Sequence, residues 1–441
     1  MLSSKATSPA FLPLITILAC GVAPASAADP TDLVRTAIRL PCQAAELESL
    51  PAAFPFARSH RTWVRYTRTG IVGRRIEFEV AGAELDLEFS GPPGQPDQVS
   101  ARYFSGATRL PRLLVLADHS CTIHTARQLS YDHQGRPEWL QDLDDRLRPA
   151  GAPQPLNPPV PPGADHVGIA VGQIDSGVNY LLPEIATRLA RDRHGAILGY
   201  DYWDLDGQPF DSDPTPDPFD PARHGTQTAS VLLAEGPIIE LVPYRYPRNA
   251  MARMPALIAA AAAQGIRVMN LSLATENRHQ WLPFEAAARA HPEMLFVVAA
   301  GNFGRNIEQQ ATYPAALDLD NMIVVTSASA EGRLSAGVNW GPQAVDLMAP
   351  GEQVSALDFD GVRRRVSGSS YATARVSALA VCLLAGNPGW STAELKAAIF
   401  REARADARNQ VAQGFLPDAA LGSRGACASP ATVFSGSTRR P

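Results

Sequence analysis

The stretch His166–Gly177, "HVGIAVGQIDSG", decides how this chain is read. Its first nine residues are the largely apolar run of a strand buried on both faces of a sheet. The run ends in a carboxylate, Asp175, followed by the tight-turn pair Ser176-Gly177. A charge closing a buried strand is expensive unless something partners it. One short segment thus points both to a fold class and to a place where chemistry is to be sought.

The same grammar continues downstream. "ARHGTQTASVLLA" (222–234) passes from a polar loop into a helix, "PALIAAAAAQG" (255–265) is a helix closed by Gly265, and "IRVMNLSLA" (266–274) is a strand. "FEAAARA" (284–290) is helical, and "MLFVVAA" (294–300) and "NMIVVTSAS" (321–329) are strands. "SYATARVSALAVCLLAG" (370–386) is a helix stopped at Gly386-Asn387-Pro388, and the next helix begins at Ser391, which has capping-box spacing to Glu394. Apolar strands alternating with helices predict an α/β fold with a mostly parallel sheet flanked by helices.

Upstream the pattern differs. "TWVRYTRTG" (62–70), "RRIEFEVAG" (74–82), "AELDLEFSG" (83–91) and "RLLVLAD" (112–118) read as strands between glycine turns. "PEWLQDLDDRLRP" (137–149) reads as a short helix, and the proline density of residues 149–165 as an extended linker. The expected organisation is an export segment over 1–27, a β-rich N-terminal domain over 28–148, a linker over 149–165, a catalytic domain over 166–422 and a polar tail over 423–441. The export segment is read from Lys5, the apolar "AFLPLITILACGVA" and the small-residue site after Ala27. It implies a secreted or periplasmic protein, with lipid attachment at Cys20 the less favoured route. No later stretch reads as long and uninterrupted enough to span a bilayer.

The chain has 441 residues and a formal net charge of −5, with no long basic stripe, which removes the electrostatic case for nucleic acid. "VRRRV" (362–366) reads as a hairpin arm after the Asp360-Gly361 turn. Once the export segment is gone, Cys42, Cys121, Cys382 and Cys427 remain, allowing three connectivities. A Cys42–Cys121 bridge would staple the N-terminal region, whereas Cys382 sits in an apolar run and reads as core. The acidic stretch 201–225 raises calcium, which wants several oxygen ligands. Its irregular spacing and five prolines (Pro209, Pro214, Pro216, Pro218 and Pro221) assign no ligand set, so the expectation is a solvated acidic loop with no metal and no cofactor.

Reactive groups in an open α/β sheet gather at the carboxyl ends of strands and at helix starts. Asp175 ends a strand, His224 stands at a helix start with Gly225 leaving room around its ring, and Ser370 stands at another helix start. In that combination a serine hydroxyl is the nucleophile, a histidine the base that takes its proton, and a carboxylate the group that holds the imidazole. "VVAAGNFG" (297–304) adds Asn302 at a strand end, a side-chain amide suited to a developing oxyanion. Gly368 would let a substrate backbone approach Ser370.

These segments together resemble the subtilisin family of serine proteases. "VGQIDSGVNY" (171–180) resembles its aspartate motif, "RHGTQTAS" (223–230) its histidine motif and "SGSSYATARVSA" (367–378) its serine motif. "YPAALDLDNMIVVTSAS" (313–329) and "VDLMAPGEQV" (345–354) follow its framework, and the likeness runs from about Gly163 to Arg404. The resemblance implies a three-layer subtilisin-like fold and an exported endopeptidase acting through an acyl-enzyme, with Asp175, His224 and Ser370 as triad and Asn302 as oxyanion donor. Ser272, Leu273 and Ala274 would pair with the substrate backbone, and Ala299, Ala300 and Gly301 would form another wall of the main specificity pocket. The implied partners are a peptide or protein substrate and the N-terminal domain as intramolecular inhibitor of a precursor. The alternative is a catalytically silent peptide-binding or envelope-interaction protein on the same scaffold. The chain departs from the family at Ala274, where glycine is usual and which implies a narrowed pocket for small or slender side chains. It departs also at Gln227, in place of a second histidine, and at Ser369, Tyr371 and Ala374, where threonine, methionine and proline are common.

Overall fold

The structure is a computed structural model and describes residues 29–43, 57–67, 70–80, 82–91, 97–106, 108–163, 168–246 and 250–422. The export segment and the tail from 423 lie outside the described residues, as does the side chain of Cys42. Cys121 and Cys382 are each disulfide-bonded, so Cys382 is more than the core residue its apolar neighbours suggest. The chain forms two compact units, one holding the N-terminal residues to Arg127 with Asp142–Ala150, the other Gln128–Gln141 and everything from Gly151.

In the first unit, helix α1 (Pro30–Gln43) is followed by strands β1 (Ala57–Thr67), β2 (Gly70–Val80), β3 (Ala83–Ser90), β4 (Gln98–Ser105) and β5 (Leu110–Asp118), each pairing antiparallel with the next. Alternate residues such as Ile76, Phe78, Leu85, Leu87, Phe89 and Val115 face one core, where Val34, Ala37 and Ile38 of α1 cover them. Period-two apolarity thus has one buried face here, as expected for an antiparallel sheet.

Strand β6 (Ile123–Tyr131) carries the chain toward the second unit. There the segment expected as a helix is instead strand β7 (Pro137–Asp142), paired at Trp139 and Leu140 with the two-residue strand β8 (Gln154–Pro155). Trp139, Leu140, Leu143 and Leu147 mimic helical spacing, but Leu147 has φ 58° in a turn, which no helix contains. The proline-rich stretch is likewise not a free linker. Pro158 O accepts from Tyr180 Oη at 2.5 Å, Pro161 O accepts from Arg191 Nη2 at 2.8 Å, and Asn157 Nδ2 donates to Asp206 at 2.9 Å.

The remaining strands, β9 (Ile169–Asp175), β10 (Tyr200–Asp201), β11 (Ile239–Arg245), β12 (Val268–Leu271), β13 (Leu295–Ala299), β14 (Met322–Ala328), β15 (Leu347–Pro350) and, late in the chain, Gly414–Phe415, build one sheet. Its order is β10-β11-β9-β12-β13-β14-β15 and then the Gly414 strand, with every pair parallel. Neighbouring residues go to opposite faces. Val297 and Ile323 join one core with α2 (Gly225–Glu235) and its partners, while Val298 and Val324 join another with α3 (Met254–Ala263) and α4 (Arg278–Ala290). Both faces are covered, so both must be apolar.

Between β15 and the next helix lies a hairpin, Val354–Leu357 with Arg363–Val366, turning at Asp360-Gly361 as the sequence suggests. Helix α5 (Ser369–Gly386) then crosses the centre of one face, and α6 (Thr392–Arg401) follows with the expected capping box between Ser391 and Glu394. By length and composition alone, α5 could cross a membrane. Its apolarity is instead spent on the core, where Ala372, Ala374, Val376, Ala378, Leu379, Ala380 and Val381 are all buried. Small residues let it lie close to the sheet.

At the carboxyl edge, Arg245 is buried against Asp201 (2.8 Å) and Asp204 (2.5 Å). Burial pushes the Asp201 carboxyl up to about 6 against the pull of Arg245. Removing one partner strands a buried charge, so Arg245→Met is expected to cost about 3–5 kcal/mol in urea or thermal unfolding.

Candidate active site

Asp175 is the last residue of β9, in the interior of the sheet, and is 1% exposed. His224 immediately precedes α2, and the two meet because Gly225 allows close approach: a side-chain carbon there would lie 1.9 Å from Gly177 O. The space at Gly225 therefore belongs to the Asp175 turn rather than to the imidazole ring. His224 Nδ1 lies 2.8 Å from Asp175 Oδ1 and 3.0 Å from Oδ2. An ionised carboxylate only accepts, so Nδ1 carries the proton and Nε2 is left free to act as base.

The carboxylate is held from its other sides. Ser176 N–H donates to Oδ1 at 2.8 Å and Thr228 Oγ1 to Oδ2 at 3.0 Å, while Gln173 Nε2 donates to Thr228 Oγ1 at 2.7 Å. A second buried carboxylate, Asp211, accepts from Ser176 Oγ at 2.6 Å and from Thr226 N–H at 2.8 Å, tying the strand end to the helix start. Desolvation raises the Asp211 carboxyl above its ordinary value, opposed by those hydrogen bonds. For His224, desolvation opposes the charged form, yet the Asp175 charge and hydrogen bond together with the Asp211 charge leave it raised. Its side chain keeps 36% exposure on the cavity side.

Ser370 is the second residue of α5, so its N–H has no partner within the helix. Gly368, at φ 154° and ψ 163°, sits in a region reserved for glycine and brings the chain within reach of Asn302. Asn302 Oδ1 accepts from Ser369 N–H at 3.0 Å, which orients the amide and leaves Nδ2 as the outward donor. Ser272 Oγ donates to Ser370 O at 3.3 Å, fastening the end of β12 to the same helix turn.

One cavity of about 650 Å³ is lined by Asp175, His224, Ser370 and Asn302 together with Ser272, Leu273, Ala274, Ala299 and Gly301. Of the residues expected at the site, Ala300 and Gly368 do not line it, and Ala300 is wholly buried in the core. The expected solvated acidic loop is not solvated at its key positions. Asp201, Asp211 and Asp213 are buried, and Asp213 accepts from Tyr246 Oη at 2.7 Å. Among the described residues no group of three or more His, Cys, Asp or Glu is disposed to hold a metal ion.

Sequence reading missed Asp211, Ser176 and Thr228 as supports of the site. Asp211 stands among six other acids from Asp201 to Asp220, and its partner Ser176 is 35 positions away, so no local pattern singles it out. It also treated Gln227 and Tyr371 as separate departures. They are hydrogen-bonded to each other: Tyr371 Oη donates to Gln227 Oε1 at 2.6 Å, and Gln227 Nε2 donates to Asp358 at 3.1 Å. Burial raises the Tyr371 phenol and keeps it a donor, and its ring lies 6.2 Å from that of His224.

A serine at a helix start, a histidine paired to a buried acid and an oriented amide around one cavity define a site of the serine-hydrolase kind. Residues 166–416 match the Subtilase family, and the chain belongs to that family. Alkaline serine exoprotease A of Vibrio alginolyticus is 28% identical over 251 residues, 54% of this chain and 42% of that protein. Halolysin of Haloferax mediterranei is 30% identical over 237 residues, 51% of this chain and 42% of that protein. The chain thus spans under half the length of these two relatives. A cold-adapted subtilisin-like serine proteinase of known structure is 24% identical, with a TM-score of 0.46, covering 60% of this chain and 93% of that one.

Because His224 is raised, its base form is reached only above its ordinary value of about 6.5. The protonated pair adds stability that is full below that unfolded value and is lost as pH rises through the folded one, the opposite sense to reactivity. The acid limb of serine labelling by a fluorophosphonate is expected above about pH 6.5, and Asp211→Asn is expected to move it down. Tyr371→Phe and Gln227→Leu should each slow labelling. In the double variant the losses should fall short of additive by about 0.5 kcal/mol or more, measured as a double-mutant cycle on labelling rates.

Proposed function

We propose that this chain is an exported serine endopeptidase. The observation that carries this reading is the Asp175–His224 pair, hydrogen-bonded at 2.8 Å, on one cavity with Ser370 and with an Asn302 amide whose oxygen is already engaged. His224 Nε2 takes the Ser370 proton as Oγ attacks the carbonyl carbon of the substrate. The tetrahedral oxyanion is received by Asn302 Nδ2 and the Ser370 N–H. His224 then protonates the leaving amine and the acyl-enzyme forms. Water, deprotonated by His224, releases the acid and restores Ser370. Asp175 holds the tautomer throughout and stabilises the imidazolium.

The segment Ser272–Ala274 extends β12 along the cavity and suits an extended peptide, which favours a peptide over a small ester as substrate. Export rests on the N-terminal segment 1–27, and the N-terminal unit is the candidate for an intramolecular inhibitor in a precursor. Its removal would be seen as a shortened intact mass.

The exported protein should react with a fluorophosphonate probe at Ser370, and Ser370→Ala should abolish labelling. A folded, fully processed wild type that stays unlabelled would refute the assignment. Asn302→Ala should lower kcat on a peptide by about 10²–10³-fold while labelling remains detectable, since it removes one oxyanion donor but leaves the nucleophile and base.

A further inference from the structure

Gln173 stands two residues before Asp175 on β9, an interior strand paired with β11 on one side and β12 on the other. Residues two apart on a strand share a face, and on this face Val171 belongs to the apolar core shared with α2. An apolar side chain would suit position 173, yet an amide stands there, 1% exposed. Among the described residues no donor reaches its Oε1. A buried amide left half satisfied costs stability, so packing alone does not account for this residue.

What its nitrogen does is specific. Nε2 donates to Gly225 O at 2.9 Å and to Thr228 Oγ1 at 2.7 Å. A backbone carbonyl only accepts, which fixes the amide with its nitrogen toward α2. Gly225 O lies in the first turn of α2 and has a helical donor four residues on, so it does not depend on Gln173. The Thr228 hydroxyl does depend on it. A helical threonine ordinarily turns its hydroxyl back to the carbonyl three or four residues earlier. Here those carbonyls are Gly225 O at 3.1 Å and His224 O at 3.5 Å, in competition with Asp175 Oδ2 at 3.0 Å. The hydroxyl has one hydrogen to give. With Gln173 occupying both Gly225 O and a lone pair of Oγ1, that hydrogen goes to Asp175.

From this geometry we infer that Gln173 is a positioning residue for the reaction, acting on Asp175 through the Thr228 hydroxyl. The inference rests on the peptidase reading above. Asp175 Oδ1 is held by the Ser176 N–H at 2.8 Å, while the Ser176 hydroxyl is committed to Asp211 at 2.6 Å. Oδ2 takes its hydrogen bonds from Thr228 and the imidazole. Once the Thr228 hydroxyl turns back to the helix, the carboxylate is free to rotate about its Cβ–Cγ bond. The Nδ1–H bond that fixes the tautomer of His224 then loses its alignment.

The test uses the full exported protein and a fluorophosphonate probe, with the maximal labelling rate and the half-saturating concentration measured separately. Gln173→Met, close in size but without a donor, should lower the maximal rate by about fivefold or more. The half-saturating concentration should stay within about twofold, and the melting temperature should not fall. Thr228→Val should act likewise, and Thr228→Ser, which keeps the hydroxyl, should recover most of the loss. In the Thr228→Val background, Gln173→Met should cost nothing further. The proton spectrum gives a readout that a merely structural role would not move. The His224 Nδ1–H resonance, downfield of the amides, should shift in Gln173→Met and Thr228→Val and return in Thr228→Ser. A labelled wild type whose rate and resonance are unchanged by Gln173→Met overturns the inference and leaves the peptidase reading intact. So do losses that multiply in the double variant, or a slower rate that comes with a lower melting temperature. A wild type that neither labels nor cleaves casein overturns both.

Discussion

The buried carboxylate of Asp175 is the constraint around which this site is organised. At 1% exposure it can remain charged only if hydrogen-bond donors converge on it, and they come from different parts of the chain. Ser176 follows it in sequence, while Thr228 lies in a helix some fifty residues later and His224 immediately precedes that helix. Satisfying one strand end therefore draws the start of α2 onto the sheet, and with it the imidazole. Asp211 repeats the device one layer out, binding Ser176 and Thr226 and adding its own negative charge to the field at His224. The same interactions that hold the fold at this corner also bias the protonation of His224.

Much of the second unit was legible because a doubly covered parallel sheet leaves a plain trace. Runs such as Leu295–Ala299 are apolar at every position, since Val297 and Val298 serve opposite cores. The positions of Asp175, His224, Ser370 and Asn302 in the fold were legible as well, each standing where a strand or loop gives way to a turn or a helix. Trp139 and Leu140 were misread because apolar spacing cannot by itself separate a strand ending in tight turns from a short helix. Prolines 158 and 161 were misread because proline density records what the stretch lacks, namely donors. It does not record that their carbonyls would be taken by Tyr180 and Arg191. Partners supplied from distant segments leave no signature in local composition.

The departures from the family are not independent of one another. Gln227 and Tyr371 share a hydrogen bond that joins the first turn of α2 to the first turn of α5, the turns beside His224 and Ser370. Asp358, at the foot of the arginine-bearing hairpin, completes the chain by accepting from Gln227 and pairing with Arg364.

The docked proline-rich stretch changes where the catalytic body ends. Family likeness begins at residue 166, yet Tyr180, Arg191 and Asp206 reach back to Pro158, Pro161 and Asn157, and Arg223 to Gln154. A recombinant version trimmed to the region of likeness would discard the acceptors of a buried phenol and a buried guanidinium. The homology boundary and the folding boundary of this chain are different points, and only the second is a safe place to cut a gene.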